Sequence, residues 1–290
     1  MTRTRQPCVL VVLAHPDDEL FHGGVYAHLS EGGARVVIAS ATRGEAGKAH
    51  PSLGHVEDLA ALRAEELRLS CARLGIDEPV FLDFHDSGRG ARQRHDDPRA
   101  LANVNMLEIE AAVRQVIQDV KPNVIVTHDP HGGYAHPDHL ALHRAVTAAF
   151  FSSDMMGGDA PQRLFYTAMD RDVFRQFAEA SRGRGFTDDL DPDVFSSAPQ
   201  SIAVSFDATP YLRRKFSAVA AHQSQFGMTL EMLDDPPPAV AGMLRAFRPV
   251  MEREVFLLGG TRGRVERWPL RDFFDGLETV ASDAADQAAA

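Results

Sequence analysis

Cysteine is scarce in this chain. Cys8 and Cys71 are the only two among 290 residues, too few for a disulfide framework and in keeping with a reducing compartment. Long apolar runs are also absent; no stretch approaches the roughly twenty residues that a membrane-spanning helix needs. Positive charge is in deficit, with 30 Lys and Arg against 41 Asp and Glu and a net charge of −11. Such a surface repels phosphate backbones and excludes a dedicated nucleic-acid binder. Arg3 and Arg5 followed by the apolar residues 9–14 imitate a secretory leader. His15-Pro16-Asp17-Asp18-Glu19 cuts that run short and no small-residue cleavage site follows, so the segment reads as a buried first strand. The expectation is a soluble, cytoplasmic protein.

The remaining composition, 44% hydrophobic and 24% charged, is that of a globular chain. Short Val- and Ile-rich runs at 8–14, 35–42, 79–84 and 123–128 predict strands covered on both faces. Between them Ala60, Ala64, Leu67, Cys71 and Leu74 share one helical face, closed by Gly75 as a C-cap. Ile109, Val113, Val116 and Val120 do the same before Lys121-Pro122. Strand and helix in alternation predict an α/β fold of Rossmann-like type, with a mostly parallel sheet and helices on both faces. Further strands are predicted at 163–169, 201–206 and 254–258, and helices at 210–226 and 239–247. Residues 181–200 read as a long loop. Asp188, Asp189, Asp191 and Asp193 lack an EF-hand frame and read as a solvated charge run.

A nucleotide-binding Rossmann unit needs glycines directly after its first strand. Here that turn carries His15, Asp17, Asp18 and Glu19, which repel phosphate and attract a cation, while Gly23-Gly24 arrive too late. After the fourth strand, His128 to His139 contains four histidines and two aspartates. In the common strand order 3-2-1-4 the first and fourth strands are neighbours at the topological switch point, so the two clusters face one crevice. Two imidazoles and a carboxylate with an open position compose a hydrolytic zinc site. Iron(II) accepts the same face, so the residues leave the metal open.

Ala14-His15-Pro16-Asp17-Asp18-Glu19 and Gly132-Gly133-Tyr134-Ala135-His136-Pro137-Asp138-His139 resemble the PIG-L/LmbE-like family of zinc-dependent N-deacetylases. The resemblance covers most of the first 150 residues, including Thr42-Arg43-Gly44-Glu45 and Asp86-Ser87-Gly88, and thins beyond about residue 160, where His222-Gln223-Ser224-Gln225 is also similar. It implies metal ligands at His15, Asp18 and His139, and a general base at Asp17. It further implies an oxyanion-stabilising imidazolium at His136 tuned by Asp138, and a mobile carbonyl-contacting Tyr134. Arg63 and Asp86 fall at sugar-binding positions. The family commonly has glycine where this chain has Ala135. One domain over 1–280 is expected, with 1–160 carrying the metal and 161–280 shaping the substrate pocket; 281–290 is expected to be a disordered tail.

The implied activity is removal of an acetyl group from an N-acetylglucosamine-type sugar, a small soluble substrate handled without a membrane. Alternatives are an amidase cleaving a mycothiol-type S-conjugate, a non-catalytic metal-binding protein, and a Rossmann cofactor enzyme. The oligomeric state stays open, a homo-oligomer included. Blander readings attach to several residues. Glu19 is equally well a helix cap, Arg63 a solvated helix residue and Asp86 a turn former. His143 competes as a ligand from one helical turn on. Cys71 reads as core, His128 and His131 as site-lining, and His22 and His28 as ordinary helix surface.

Overall fold

Seven strands share one sheet in the computed structural model, which describes residues 6–153, 160–183 and 190–277. They are β1 (Cys8–Leu13), β2 (Arg35–Ser40), β3 (Val80–Phe81), β4 (Val124–Thr127), β5 (Arg163–Ala168), β6 (Ile202–Asp207) and β7 (Arg253–Thr261). Their order is β3-β2-β1-β4-β5-β7-β6. The first five run parallel, and β7 pairs antiparallel with both β5 and β6. The mostly parallel α/β fold is therefore as expected, and strands from both halves of the chain belong to the same sheet. The 281–290 tail, and Asp188 and Asp189 of the acidic run, lie outside the described residues.

Every residue of β1 is buried, as a strand covered on both faces requires. On one face lie α3 (Met106–Val120) and α5 (Pro137–Ser152), whose Ile109, Val113, Ile117, Leu142 and Val146 pack against Leu10 and Val12. On the other, Leu67 and Cys71 of α2 (Leu59–Leu74) join Val9, Val11 and Leu13. Each such aliphatic side chain contributes about 1.5–3 kcal/mol on burial, so this stripe, rather than propensity, holds the helices to the sheet. Asp58 caps the start of α2, and Gly75 ends it at φ 74, a left-handed value that suits glycine.

The second half departs further from expectation. Residues 210–226 form two helices, α7 (Leu212–Val219) and α8 (Gln223–Phe226), because the chain turns at 220–222 to bury His222. A helix not read from the sequence, α6 (Arg171–Ala180), packs Phe174 and Phe177 with Phe247 and Val250 of α9 (Pro238–Glu252). His22 is also corrected: it is buried rather than on a helix surface, its Nε2 lies 3.2 Å from Ala168 O, and its ring sits against Phe256. His28 is exposed, as expected, and meets Tyr211 Oη at 3.0 Å.

Candidate active site

β1 and β4 are adjacent, with Val12 opposite Thr127, so the loops leaving their carboxyl ends face each other. His15 and Asp18 come from the first loop. His139 stands in the first turn of α5, which Pro137 starts and His136 caps. The three side chains converge although His139 lies more than 120 residues along the chain from the other two. His139 Nε2 is 3.2 Å from His15 Nδ1 and 3.4 Å from Asp18 Oδ1, and His15 Nδ1 is 3.5 Å from Asp18 Oδ2. Donor atoms each about 2.1 Å from one ion in a tetrahedral set lie roughly 3.4 Å apart, and each of these pairs has that spacing, with the two imidazoles meeting different oxygens of Asp18.

The protons agree with that reading. His15 Nε2 lies 3.1 Å from Asp138 Oδ2 and 3.4 Å from Asp86 Oδ1, which places a proton there and turns Nδ1 toward His139. Imidazoles that bind metals commonly donate their other N–H to a carboxylate in this way. Burial works to lower the pKa of His15, but Asp138, Asp18 and Asp86 overcome it and hold it well above its usual value. Burial would raise Asp18; the facing imidazoles of His139 and His15 hold it well below the usual carboxylate range instead. A buried group of lone pairs and carboxylates arranged like this attracts positive charge.

Neighbouring histidines crowd the same point, His128 beside Asp18 and His139 and His136 beside His15 and His139, close enough in each group to share an ion. His128 stacks on His139 at 3.8 Å, and its Nε2 accepts the Ala14 N–H at 3.0 Å, which occupies the lone pair of that nitrogen. His143 Nδ1 turns to His128 O at 2.9 Å. His131 is exposed and lies away from the cleft it was expected to line.

Asp17 sits beside the triangle at φ 106, a strained value for an aspartate. Its Oδ2 accepts from Arg63 Nη2 at 3.0 Å, and its N–H donates to Glu19 Oε2 at 2.9 Å. Burial, opposed by Arg63, raises its pKa to about 6. Arg63 is buried rather than solvated; it also donates to Gly44 O and Pro16 O. A Cβ on Gly44 would meet Arg63 Nη1 at 2.2 Å, so the glycine of Thr42-Arg43-Gly44-Glu45 makes room for the guanidinium. Asp86 accepts from Ala46 N–H and Gly88 N–H, so it forms its turn and faces His15 at once.

One expectation widens and another changes. The Asp138 carboxylate was expected to tune His136; its charge does push that imidazole's pKa up against burial, and its Oδ2 also addresses His15 and accepts from Ser87 N–H at 2.9 Å. His136 was expected as an imidazolium. Its Nδ1 instead accepts the Asp138 N–H at 3.3 Å, which puts the ring proton on Nε2, and burial lowers its pKa to about 4. Glu19, weighed as a helix cap, is fully buried and accepts from Ser70 Oγ at 2.6 Å and His222 Nε2 at 2.7 Å. Ser70 went unnoticed in the sequence. His222 was visible only as part of a familiar tetrapeptide.

Tyr134 lies on a kinked turn in which Gly132, Gly133 and Ala135 all have positive φ. Its ring carries Arg89 at 4.9 Å. With His15, Asp17, Asp86 and His136 it lines a polar cleft of about 410 Å³, and Lys48 and Arg92 line the same cleft.

Paired His- and Asp-bearing loops at the switch point of a parallel sheet define a metal-hydrolase type of centre. The PIG-L family profile, described as GlcNAc-PI de-N-acetylase, matches residues 10–150. A 1D-myo-inositol 2-acetamido-2-deoxy-alpha-D-glucopyranoside deacetylase of Geodermatophilus obscurus is 33% identical over 302 residues, covering 96% of this chain and 99% of its own. This chain belongs to the PIG-L family. Among solved structures, the N,N'-diacetylchitobiose deacetylase of Pyrococcus horikoshii shares the fold, with a TM-score of 0.55, 18% identity and coverage of 87% and 83% of the two chains. The 4-carboxy-2-hydroxymuconate hydratase of Pseudomonas putida does so too, with a TM-score of 0.54, 18% identity and coverage of 90% and 100%. Fold alone therefore does not choose the reaction.

Proposed function

We propose that the protein is a divalent-metal hydrolase that removes an acyl group from the 2-amino group of a glucosamine-type sugar. The observation that carries this reading is the triangle of His15 Nδ1, Asp18 and His139 Nε2, with Asp17 beside it. His15, Asp18 and His139 would hold the ion, and their nitrogen-rich set favours zinc, with iron(II) as the alternative. A bound ion of this kind supplies Lewis acidity, bringing the pKa of a coordinated water toward 7 and polarising the amide carbonyl.

The chain's own groups do the rest. Arg63 holds Asp17 Oδ2, so Oδ1 is the atom that takes the proton of the attacking water. A pKa raised to about 6 suits a base that must then pass the proton to the leaving amine. His136 presents Nε2–H to the developing oxyanion, its other nitrogen being fixed by the helix cap. Tyr134, on its kinked turn, closes over the carbonyl. Asp86 and the Arg63 region bind sugar hydroxyls on the cleft side. Asp17 and His136 are both retained, which a non-catalytic metal binder would not require.

The test is metal analysis coupled to acetate release from a panel of N-acetylated amino sugars, with an S-conjugate amide assayed in parallel. Asp17→Asn should keep about one ion per chain and lower turnover by roughly 10²–10⁴-fold. A variant with full turnover would remove Asp17 from its role. Absence of any bound divalent ion would remove the reading itself.

A further inference from the structure

A second cavity, of about 240 Å³, adjoins the candidate centre. Its walls are mostly apolar, with Phe21, Met169, Phe174, Phe177, Phe195 and Phe247 on one side and His128 and Asp129 at the end near the centre. Phe21 and Phe247 stack at 6.4 Å between ring centroids, and Phe177 meets Phe247 edge-on at 5.0 Å. The candidate ligands are divided between the two spaces. His15 lines the polar cleft, Asp18 and His139 line the apolar cavity, and Tyr134 and Leu190 border both.

An amide carbonyl held at the centre has one substituent on each side. The nitrogen carries the sugar, whose hydroxyls need polar partners; Asp86, Lys48, Arg89 and Gln225 are in the cleft. The carbon substituent is left for the cavity. Acetyl would place one methyl there. Apolar cavities of about 150 Å³ stay dry and admit benzene, so this one has room for roughly six carbons.

We infer, resting on the amidohydrolase reading above, that this cavity is an acyl subsite and that the preferred substrate carries an unbranched acyl chain longer than acetyl. The reaction is ordinary hydrolysis. Water adds to the carbonyl carbon, the C–N bond breaks, the amine leaves with a proton, and the chain departs as a carboxylic acid.

The experiment compares glucosamine N-acylated with acetyl, butanoyl and hexanoyl. Affinity for the metal-free full chain is measured by calorimetry, and kcat/KM is measured on the metal-loaded enzyme. Each buried methylene should tighten binding about three- to fourfold, and kcat/KM should rise in the same order. Met169→Trp, which fills the cavity, should erase the hexanoyl-to-acetyl ratio in both measurements. A flat or falling series in the wild type overturns the subsite while acetate release keeps the hydrolase reading. A rising affinity series without turnover of any member upholds the cavity's ligand and overturns the hydrolase reading instead.

Discussion

Asp138 serves two partners through one oxygen, while its buried Oδ1 has no hydrogen-bond partner. Its Oδ2 takes the His15 N–H and the Ser87 N–H, and its backbone N–H caps its helix through His136. Asp138→Asn keeps the shape and removes the charge that holds the His15 proton on Nε2. Metal affinity should fall by about 10–100-fold, read by chelator competition, with little change in the circular dichroism spectrum. Much of this was legible beforehand, since a carboxylate between two histidines in the segment that follows β4 is an unusual sequence. Which imidazole it serves was not. Asp138 is one residue from His139 and two from His136, whereas its partner His15 lies 123 positions away. Glu19 was ambiguous for the same reason: Ser70 and His222, which settle its place, come from a distant helix and a distant turn.

At the level of elements, the turn bearing Tyr134 is the strained one. Ala135 sits at φ 62, where an L-residue pays roughly 1–2 kcal/mol and glycine does not. Glycine loses about 0.5–1 kcal/mol of that gain through its freer unfolded chain. Ala135→Gly should therefore raise stability by up to about 1 kcal/mol, seen as a small increase in Tm. Hydrogen exchange around Tyr134 should quicken at the same time. The strands and the first-half helices were readable because periodicity and caps announce them. α6 was not, since its buried contribution comes down to Phe174 and Phe177 inside a charged segment. The break between α7 and α8 has no glycine or proline to mark it; the burial of His222 against Glu19 imposes it.

Across the whole molecule, a buried ion pair joins the two halves. Lys215 Nζ donates to Phe21 O at 3.0 Å, Met251 O at 2.8 Å and Glu254 Oε1 at 2.5 Å. Glu254 also accepts the N–H groups of Gly24 and Val25, at the start of α1 (Gly23–Glu31). Lys215→Met would leave that carboxylate uncompensated and should cost about 3–5 kcal/mol in urea unfolding. Adding Glu254→Gln should recover part of the loss.

Acid should weaken the fold through His22. Burial, helped by the nearby Lys215 charge, lowers its pKa from 6.5 to about 3. Between those values the unfolded chain binds a proton that the native chain refuses, so stability falls as the pH drops through 6.5. His22→Gln removes this contribution. The wild-type advantage in Tm over the variant should shrink between about pH 7.5 and pH 5.

The pairing of β1 with β4 brings His15, Asp18 and His139 together, whereas phenylalanines from α6 and α9 furnish walls of the neighbouring chamber. On the proposed reading, appetite and chemistry are anchored in different layers of the architecture. An engineer, or a diverging lineage, could then retailor the accepted acyl group by repainting those aromatic walls without disturbing the strand pair that positions the three side chains.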